Sequence, residues 1–432
     1  MKHAIVWILL GVSGLCAAAE PVVLTLNDVI EQALVQSYGL QQKMIDVEVA
    51  QMKSRNNWAQ VLPGISAGAG LNYSNNLFTD TSSSQNQSQS PLRYSTSLSL
   101  SLQLNGGIPY TIKNNNLTYQ TQIQGYENSR RQLEVQVAKT FYNLIAERQN
   151  LDILQDVLTL SERQYDKDQT AFRNGLINQL TLIRSQLSVE SARLSLVKAQ
   201  TQYNINKEAF LMLLGYDRKL DASFEGSLNI NQVVLDADNL IQTYLQKRPD
   251  IVSQRYRIEI LDNTRKQTLM NGRAPSLSFS AGWNGQWSKK FSDSISGGIS
   301  LGIPIDSWVP GSKSDQSIKT ASGETEKAKL ELQNLEDTAA TQIRSLTANL
   351  QDSWESITIS RLKVQIAELT YNLTEQGFQN GTVEFIDLET ARKDMLQARQ
   401  QLLVEETNYK NMVFDLAGAL NVHWQDLMGS GS

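Results

Sequence analysis

His3, His423 and Cys16 are the only imidazoles and the only thiol in 432 residues. A Ser-His-Asp or Cys-His arrangement would therefore have to be built on His423, which stands near the C-terminus beside Trp424. Capping or packing is the expected role for it. Zinc sites need clustered histidine and cysteine, and the sequence has no such cluster. It also lacks the Gly-x-x-x-x-Gly-Lys loop that cradles phosphates. The carboxylates are plentiful, but they fall on helical stretches where acidic residues normally form a solvated face. No cofactor is expected, and energy for any work must come from a partner. The net charge of −5 offers no basic footprint for nucleic acid.

The informative spacing is that of apolar residues. Leu98, Leu100, Leu102 and Leu104 alternate with Ser97, Ser99, Ser101 and Gln103. Three further segments alternate in the same way: Ile65 to Tyr73, Leu277-Phe279-Ala281-Trp283, and Ile295-Gly297-Ile299-Leu301-Ile303. A strand sends successive side chains to opposite faces. Each segment thus has one apolar face and one of Ser, Gly, Asn or Gln, the pattern of a transmembrane barrel. Leu98, Leu100, Leu102, Leu277, Phe279, Ile299 and Leu301 are the expected lipid-facing residues. Tyr73, Tyr94, Trp283, Trp287 and Trp308 sit near strand ends, where aromatic residues suit the membrane interface. The connection from Asn75 to Ser90 reads as a long polar outer loop. A soluble hairpin with one wet face is the alternative for these strands.

Four strands cannot close a barrel, and open edges in lipid cost several kcal/mol per unpaired backbone group. Spanning barrels begin at about eight strands. The chain must then pool strands with copies of itself, and a polar-lined conducting interior favours three copies over two.

The elements around these strands follow from prolines and repeats. Prolines stand at 21, 63, 91, 109, 249, 275, 304 and 310, leaving two long gaps. Proline inside a helix costs ~3 kcal/mol, so the gaps permit helix. Leu133, Val137, Phe141, Leu144, Leu151, Leu154 and Leu158 form an apolar stripe within the first gap. A similar stretch runs from about Ser314 to Gln379. At 1.5 Å per residue each helix could reach roughly 100 Å, a coiled-coil length. Gly125 and Gly323 are the places where either could break into two. The chain also repeats itself. Phe172-Arg-Asn-Gly-Leu matches Phe378-Gln-Asn-Gly-Thr at an offset of 206, and the same offset aligns Tyr165 with Tyr371 and Leu214 with Leu420. We expect residues 1–19 to be an export signal, with Lys2, a short apolar run and Ala17-Ala18-Ala19 before the cut. Residues 20–226 and 227–432 are the two repeats, each running helix, two strands, long helix, turn, helix. Cys16 is a possible lipidation site in place of simple cleavage.

The two turns carry a resemblance. The chain resembles the TolC family of outer-membrane efflux proteins, whose turns read aromatic-x-Val-Gly-Leu and aromatic-x-Val-Gly-Thr. Here they are Phe172-Arg173-Asn174-Gly175-Leu176 and Phe378-Gln379-Asn380-Gly381-Thr382, with Asn for Val in both. Lys247-Arg248-Pro249-Asp250-Ile251 resembles the family's Arg-Pro-Asp element. The resemblance implies a homotrimer with a twelve-stranded barrel, four strands per chain, in the outer membrane of a diderm bacterium. It implies a long α-helical coiled-coil barrel crossing the periplasm, with residues 215–236 in a belt around it. Asn174, Gly175, Leu176, Asn380, Gly381 and Thr382 would be tips that meet a periplasmic adaptor protein and, through it, an inner-membrane pump. The family closes the tips with acidic residues six and nine positions after the second glycine. These are Asp387 and Thr390 here, with Thr181 at the acidic position of the first turn. Glu384 and Glu389 are near enough to supply replacement charge. Phe378 and Val383 take the places of the tyrosine and arginine of the family's gate bonds, so closure must rest on other contacts.

The function expected is a passive outer-membrane exit duct of a tripartite efflux system, carrying small molecules to the exterior. A protein-secretion duct of the same fold is the alternative, and a trimeric coiled-coil scaffold without a pore is a more distant one.

Overall fold

The computed structural model describes residues 22–73, 92–217, 220–287, 290–424 and 427. The export signal, Cys16, Phe78, the 75–90 connection and Lys289 lie outside the described residues.

The first half opens with β1 (Val22–Leu24), α1 (Leu26–Gln36) and α2 (Tyr38–Arg55), followed by β2 (Gly64–Tyr73) and β3 (Leu92–Leu104). The long α3 (Ile108–Arg173) turns into α4 (Gln179–Leu213), and β4 (Ala222–Phe224) follows. The second half gives α5 (Ala237–Tyr244), α6 (Pro249–Arg273), β5 (Ser276–Trp287), β6 (Phe291–Gly302), α7 (Lys313–Gln379) and α8 (Phe385–Leu420). Prolines mark the ends of elements: Pro249 opens α6, and Pro109 falls in the first turn of α3, where a missing N–H costs nothing. Gly125 and Gly323 do not break the long helices, which run 66 and 67 residues.

Contacts sort the chain into two compact units, each drawing on both halves. The first comprises residues up to Tyr38, Arg130–Ile241 and from Gln342 on. Its core packs Phe141, Leu144 and Ile145 of α3 against Phe210, Leu211 and Leu214 of α4 and Phe414 of α8. Tyr142 stacks on Phe414 at 5.5 Å, and Phe141 meets Phe224 edge-on at 5.9 Å. Burying one such ring contributes about 2–3 kcal/mol. β1 and β4 pair in parallel at the margin of this core. The following segment is irregular, and Tyr409 of α8 pins it. The Tyr409 hydroxyl donates to the Asn231 carbonyl (3.1 Å) and accepts from the Val233 N–H (2.9 Å). Lys410 is buried beside it, its Nζ 4.5 Å from the centre of the Tyr142 ring.

The second unit, Gly39–Ser129 with Gln242–Thr341, holds the four-stranded sheet. Its helical part is tied by polar side chains. Ser54 donates to Asn116 (2.6 Å), Asn114 to Thr264 (3.1 Å) and Gln267 to Thr111 (2.8 Å). Gly107, just before α3, has no room for a side chain, because a Cβ there would meet Asn271 Oδ1 at 2.4 Å.

Candidate functional site

The sheet runs β2-β3-β5-β6, antiparallel throughout. Register puts Leu98 beside Ala67 and Trp283, Leu100 beside Ile65 and Ala281, and Leu102 beside Phe279. Phe279 in turn pairs with Ile299, and Leu277 with Leu301. All seven residues expected on the lipid side therefore share one face. The other face is Ser66, Gly68 and Gly70 on β2, Ser95 to Ser101 on β3, Ser278, Ser280 and Asn284 on β5, and Ser292 to Ser300 on β6 at alternate positions. Its side chains are small because neighbours crowd them. A Cβ on Gly68 or Gly70 would lie 2.9 Å from the hydroxyl of Ser97 or Ser95, and the Ser66 and Ser99 hydroxyls share a hydrogen bond of 2.6 Å.

Among the described residues nothing covers the apolar face: Ile295 is 86% exposed and Ile65 and Ile299 are each 73% exposed. Among the described residues, β2 and β6 pair on one side only. Tyr73, Tyr94, Trp287 and Trp308 are exposed, while Trp283 lies over Gly285 and is half-buried. The strands extend beyond the plain alternation. β3 begins at Leu92, where Leu92-Arg93-Tyr94-Ser95-Thr96 pairs fully with β2 although its apolar signal is weak.

The tips lie in the first unit. α3 ends in a left-handed Gly175 (φ 71°), with Leu176 N–H donating to the Ala171 carbonyl and Gly175 N–H to Phe172. α7 ends the same way at Gly381 (φ 73°), with Thr382 N–H donating to Gly377 and Gly381 N–H to Phe378. These paired bonds are the Schellman ending of a helix. Asn174, Leu176, Asn380 and Thr382 are exposed around them. α4 then starts with Asn178 as cap, its Oδ1 accepting from the Thr181 N–H (2.9 Å) and hydroxyl (3.1 Å). Thr181 is thus occupied in capping. At the start of α8, Glu384 and Asp387 are exposed, and Thr390 donates back to the Ile386 carbonyl (2.8 Å). Glu389 differs from these. It accepts from Ser188 on α4 (2.8 Å) and from Arg392, so its charge is engaged inside the protomer.

Sequence reasoning passed over several residues here. Gly377 makes room for Val383, whose Cγ2 would stand 2.6 Å from a Cβ. Phe378 meets Phe385 edge-on at 5.9 Å, an apolar contact at the place of the family's tyrosine bond. Asp168 on α3 is 3% exposed and accepts from Gln164 (2.7 Å), while its Oδ2 has no hydrogen-bond partner. Arg392, 5% exposed, also donates to Ser188. An i, i+4 Gln-Asp pair in a polar helix carries no sequence signal of burial.

Among the described residues, a sheet with an uncovered apolar face, a serine- and glycine-lined reverse face and unpaired outer edges has the pattern of a transmembrane barrel. Among the described residues no helix is long and apolar enough to cross a membrane. The outer membrane efflux protein family matches residues 29–216 and 240–422, and the chain belongs to that family. Among solved structures it is similar to CusC, with a TM-score of 0.76, 19% identity and 92% of each chain covered. It is similar also to VceC of Vibrio cholerae, with a TM-score of 0.73, 18% identity, and 92% of this chain and 96% of that one covered. For the CmeC outer membrane channel of Campylobacter jejuni the values are 0.75, 18%, 94% and 88%. The fold is that of a β-barrel domain combined with a helical barrel. The chain is an outer-membrane efflux protein, and its family and fold are those of channels rather than of enzymes.

Proposed function

We propose that three copies share one pore, each adding four strands to a twelve-stranded barrel in outer-membrane lipid. The observation that carries this is the sheet itself, with its two unpaired edges and its two uncovered faces of opposite character. Unpaired backbone groups cost several kcal/mol each in lipid, so the edges must meet copies of themselves. Exposed apolar stripes support the same reading. Leu180, Ile183 and Leu187 on α4, and Leu362, Ile366 and Leu373 on α7, are more than half exposed, and a neighbouring copy would bury them.

The duct catalyses nothing. It takes small molecules delivered by an inner-membrane pump through a periplasmic adaptor that docks on the turns around Gly175 and Gly381. Asp387 is the centre of closure, and three symmetric copies would make a ring of negative charge that favours cations. Glu384 is exposed beside it and adds to the ring. Glu389, held by Arg392 and Ser188, contributes tip packing instead.

Single cysteines placed along β2 and β6, combined pairwise, test the assembly. Crosslinking should stop at a covalent trimer on denaturing gels, and a monomer in detergent or a ladder ending at dimer defeats it. In planar bilayers, conductance steps should be small and should grow in Asp387→Ala. An unchanged Asp387→Ala, with tip-widening variants that do conduct, removes the ring.

A further inference from the structure

Asp168 sits in the last two turns of α3 before the Gly175 turn and is 3% exposed. From α3 itself, Gln164 donates to one oxygen at 2.7 Å. From α4, Ser185 is 1% exposed and faces the carboxyl, although its hydroxyl also donates to Leu182 (3.0 Å). From α8 the charge of Glu389 bears on it, and around Glu389 lie its partner Arg392 and, from α7, the buried Tyr371, which also feels Glu375.

The charges facing this point already balance without Asp168. Arg392 is bonded to Glu389 and Ser188. Lys167, the other nearby cation, pairs with Glu375 at 3.4 Å. An ionised Asp168 would thus be a buried anion whose nearby cations already pair with other carboxylates, and among the described residues its Oδ2 has no hydrogen-bond partner. A proton on that oxygen removes the charge and makes the cluster neutral. Burying a charge without a partner is far costlier than burying a neutral acid.

We infer that Asp168 is a proton-binding site that keeps the α3–α4 turn packed against α8 while its carboxyl is neutral, and loosens the tip when the proton leaves. The inference rests on the tips being the closed end of the duct. Burial, with Glu389 adding to it, pushes the carboxyl above its ordinary value against the hydrogen bond from Gln164, the nearby polar Ser185 hydroxyl and the charge of Lys167. With the folded value raised, the packing is fully present below the carboxyl's unpacked value and is lost as pH rises through its packed one. Between those limits the ratio of loose to packed tips rises as much as tenfold per pH unit for each copy.

The test is hydrogen exchange of the full-length protein in detergent, from about the ordinary aspartate value near pH 4 upward to about pH 8, corrected for intrinsic exchange, with bilayer conductance in parallel. Peptides covering residues 160–190 should lose protection with rising pH in the wild type. In Asp168→Asn, which keeps the shape and cannot ionise, protection should stay flat and conductance at high pH should fall. Identical pH profiles for the two proteins overturn the inference. If Asp168→Asn fails to assemble, Glu389→Gln serves, because removing that neighbouring charge and freeing Arg392 should move the midpoint to lower pH. An unmoved midpoint is equally fatal. The ring at Asp387 is judged separately. A proton-dependent tip with an inert Asp387→Ala sinks the ring alone, and an opening Asp387→Ala with no effect of Asp168→Asn sinks this site alone.

Discussion

Gly175 and Gly381 stand 206 residues apart and adopt the same left-handed backbone, φ 71° and 73°, each closing its helix with the same pair of reverse hydrogen bonds. Open space surrounds both, so the constraint is conformational rather than steric. An L side chain in this region costs about 1–2 kcal/mol. Gly175→Ala and Gly381→Ala should each lower stability by that order in urea unfolding. Gly125→Ala, in open space inside α3, should instead raise it by about 0.5–1 kcal/mol, because a helix-interior glycine is disfavoured. The same substitution with opposite signs separates turn geometry from helix propensity.

The two faces of β6 should respond differently to one charge. Ile299 pairs with Phe279 on the apolar face, away from the interfacial Trp283, and its neighbour Ser300 pairs with Ser278 on the other. Arginine toward the midplane of the lipid face costs about 2–4 kcal/mol. Ile299→Arg should therefore assemble poorly, measured as heat-resistant oligomer in outer-membrane fractions. Ser300→Arg should assemble normally and reduce the cation preference of the open pore. Equal behaviour of the two would mean that the faces are misassigned.

Much of this architecture was legible because it rests on periodicity. Alternation marks the strands, and the faces it assigns to Leu98, Phe279 and Ile299 are those the register pairs. The offset of 206 was read from Tyr165 and Tyr371 through Leu214 and Leu420, and the backbone keeps it one residue further on. Gly215 (φ 77°) and Asn421 (φ 55°) occupy equivalent left-handed positions there, one of them without glycine. The tips were less legible because their chemistry is tertiary. Glu389 reads in sequence as one more acid near the turn, and only the arrival of Arg392 and Ser188 decides that its charge is spent locally. Asp168 reads as a solvated residue, yet the fold leaves it only 3% exposed.

Tyr409 ties the irregular segment after β4 to α8 through one donated and one accepted bond, at 3.1 and 2.9 Å. Tyr409→Phe keeps the ring against Trp354 (5.4 Å) but leaves the Asn231 carbonyl and the Val233 N–H without it. Losing bonds at part-buried groups should cost about 1–3 kcal/mol. The loss should be local. Limited proteolysis between residues 225 and 236 should accelerate severalfold while the global melting temperature falls modestly. Unchanged cleavage would mean that the segment is held by its neighbours instead.

Asp250 opens α6 under the opposite electrostatic rule from Asp168. Burial would push its carboxyl up, but hydrogen bonds and charge from Arg248, at 3.1 and 2.8 Å, with help from the Ile251 N–H (2.9 Å), hold it below its ordinary value. Its place in the first turn also suits the helix dipole. A lowered folded value means that the stabilisation is present above the unfolded carboxylate value and is lost as pH falls through the folded one. Asp250→Asn should therefore lower the melting temperature at pH 7, and the gap from wild type should close as the solution is acidified below about pH 4. Salt should narrow the gap only partly, since Arg248 is 11% exposed while Asp250 is 35% exposed and the pair is incompletely screened. A gap that persists unchanged into acid would assign the role of Asp250 to packing or to the Asn replacement itself, not to its charge.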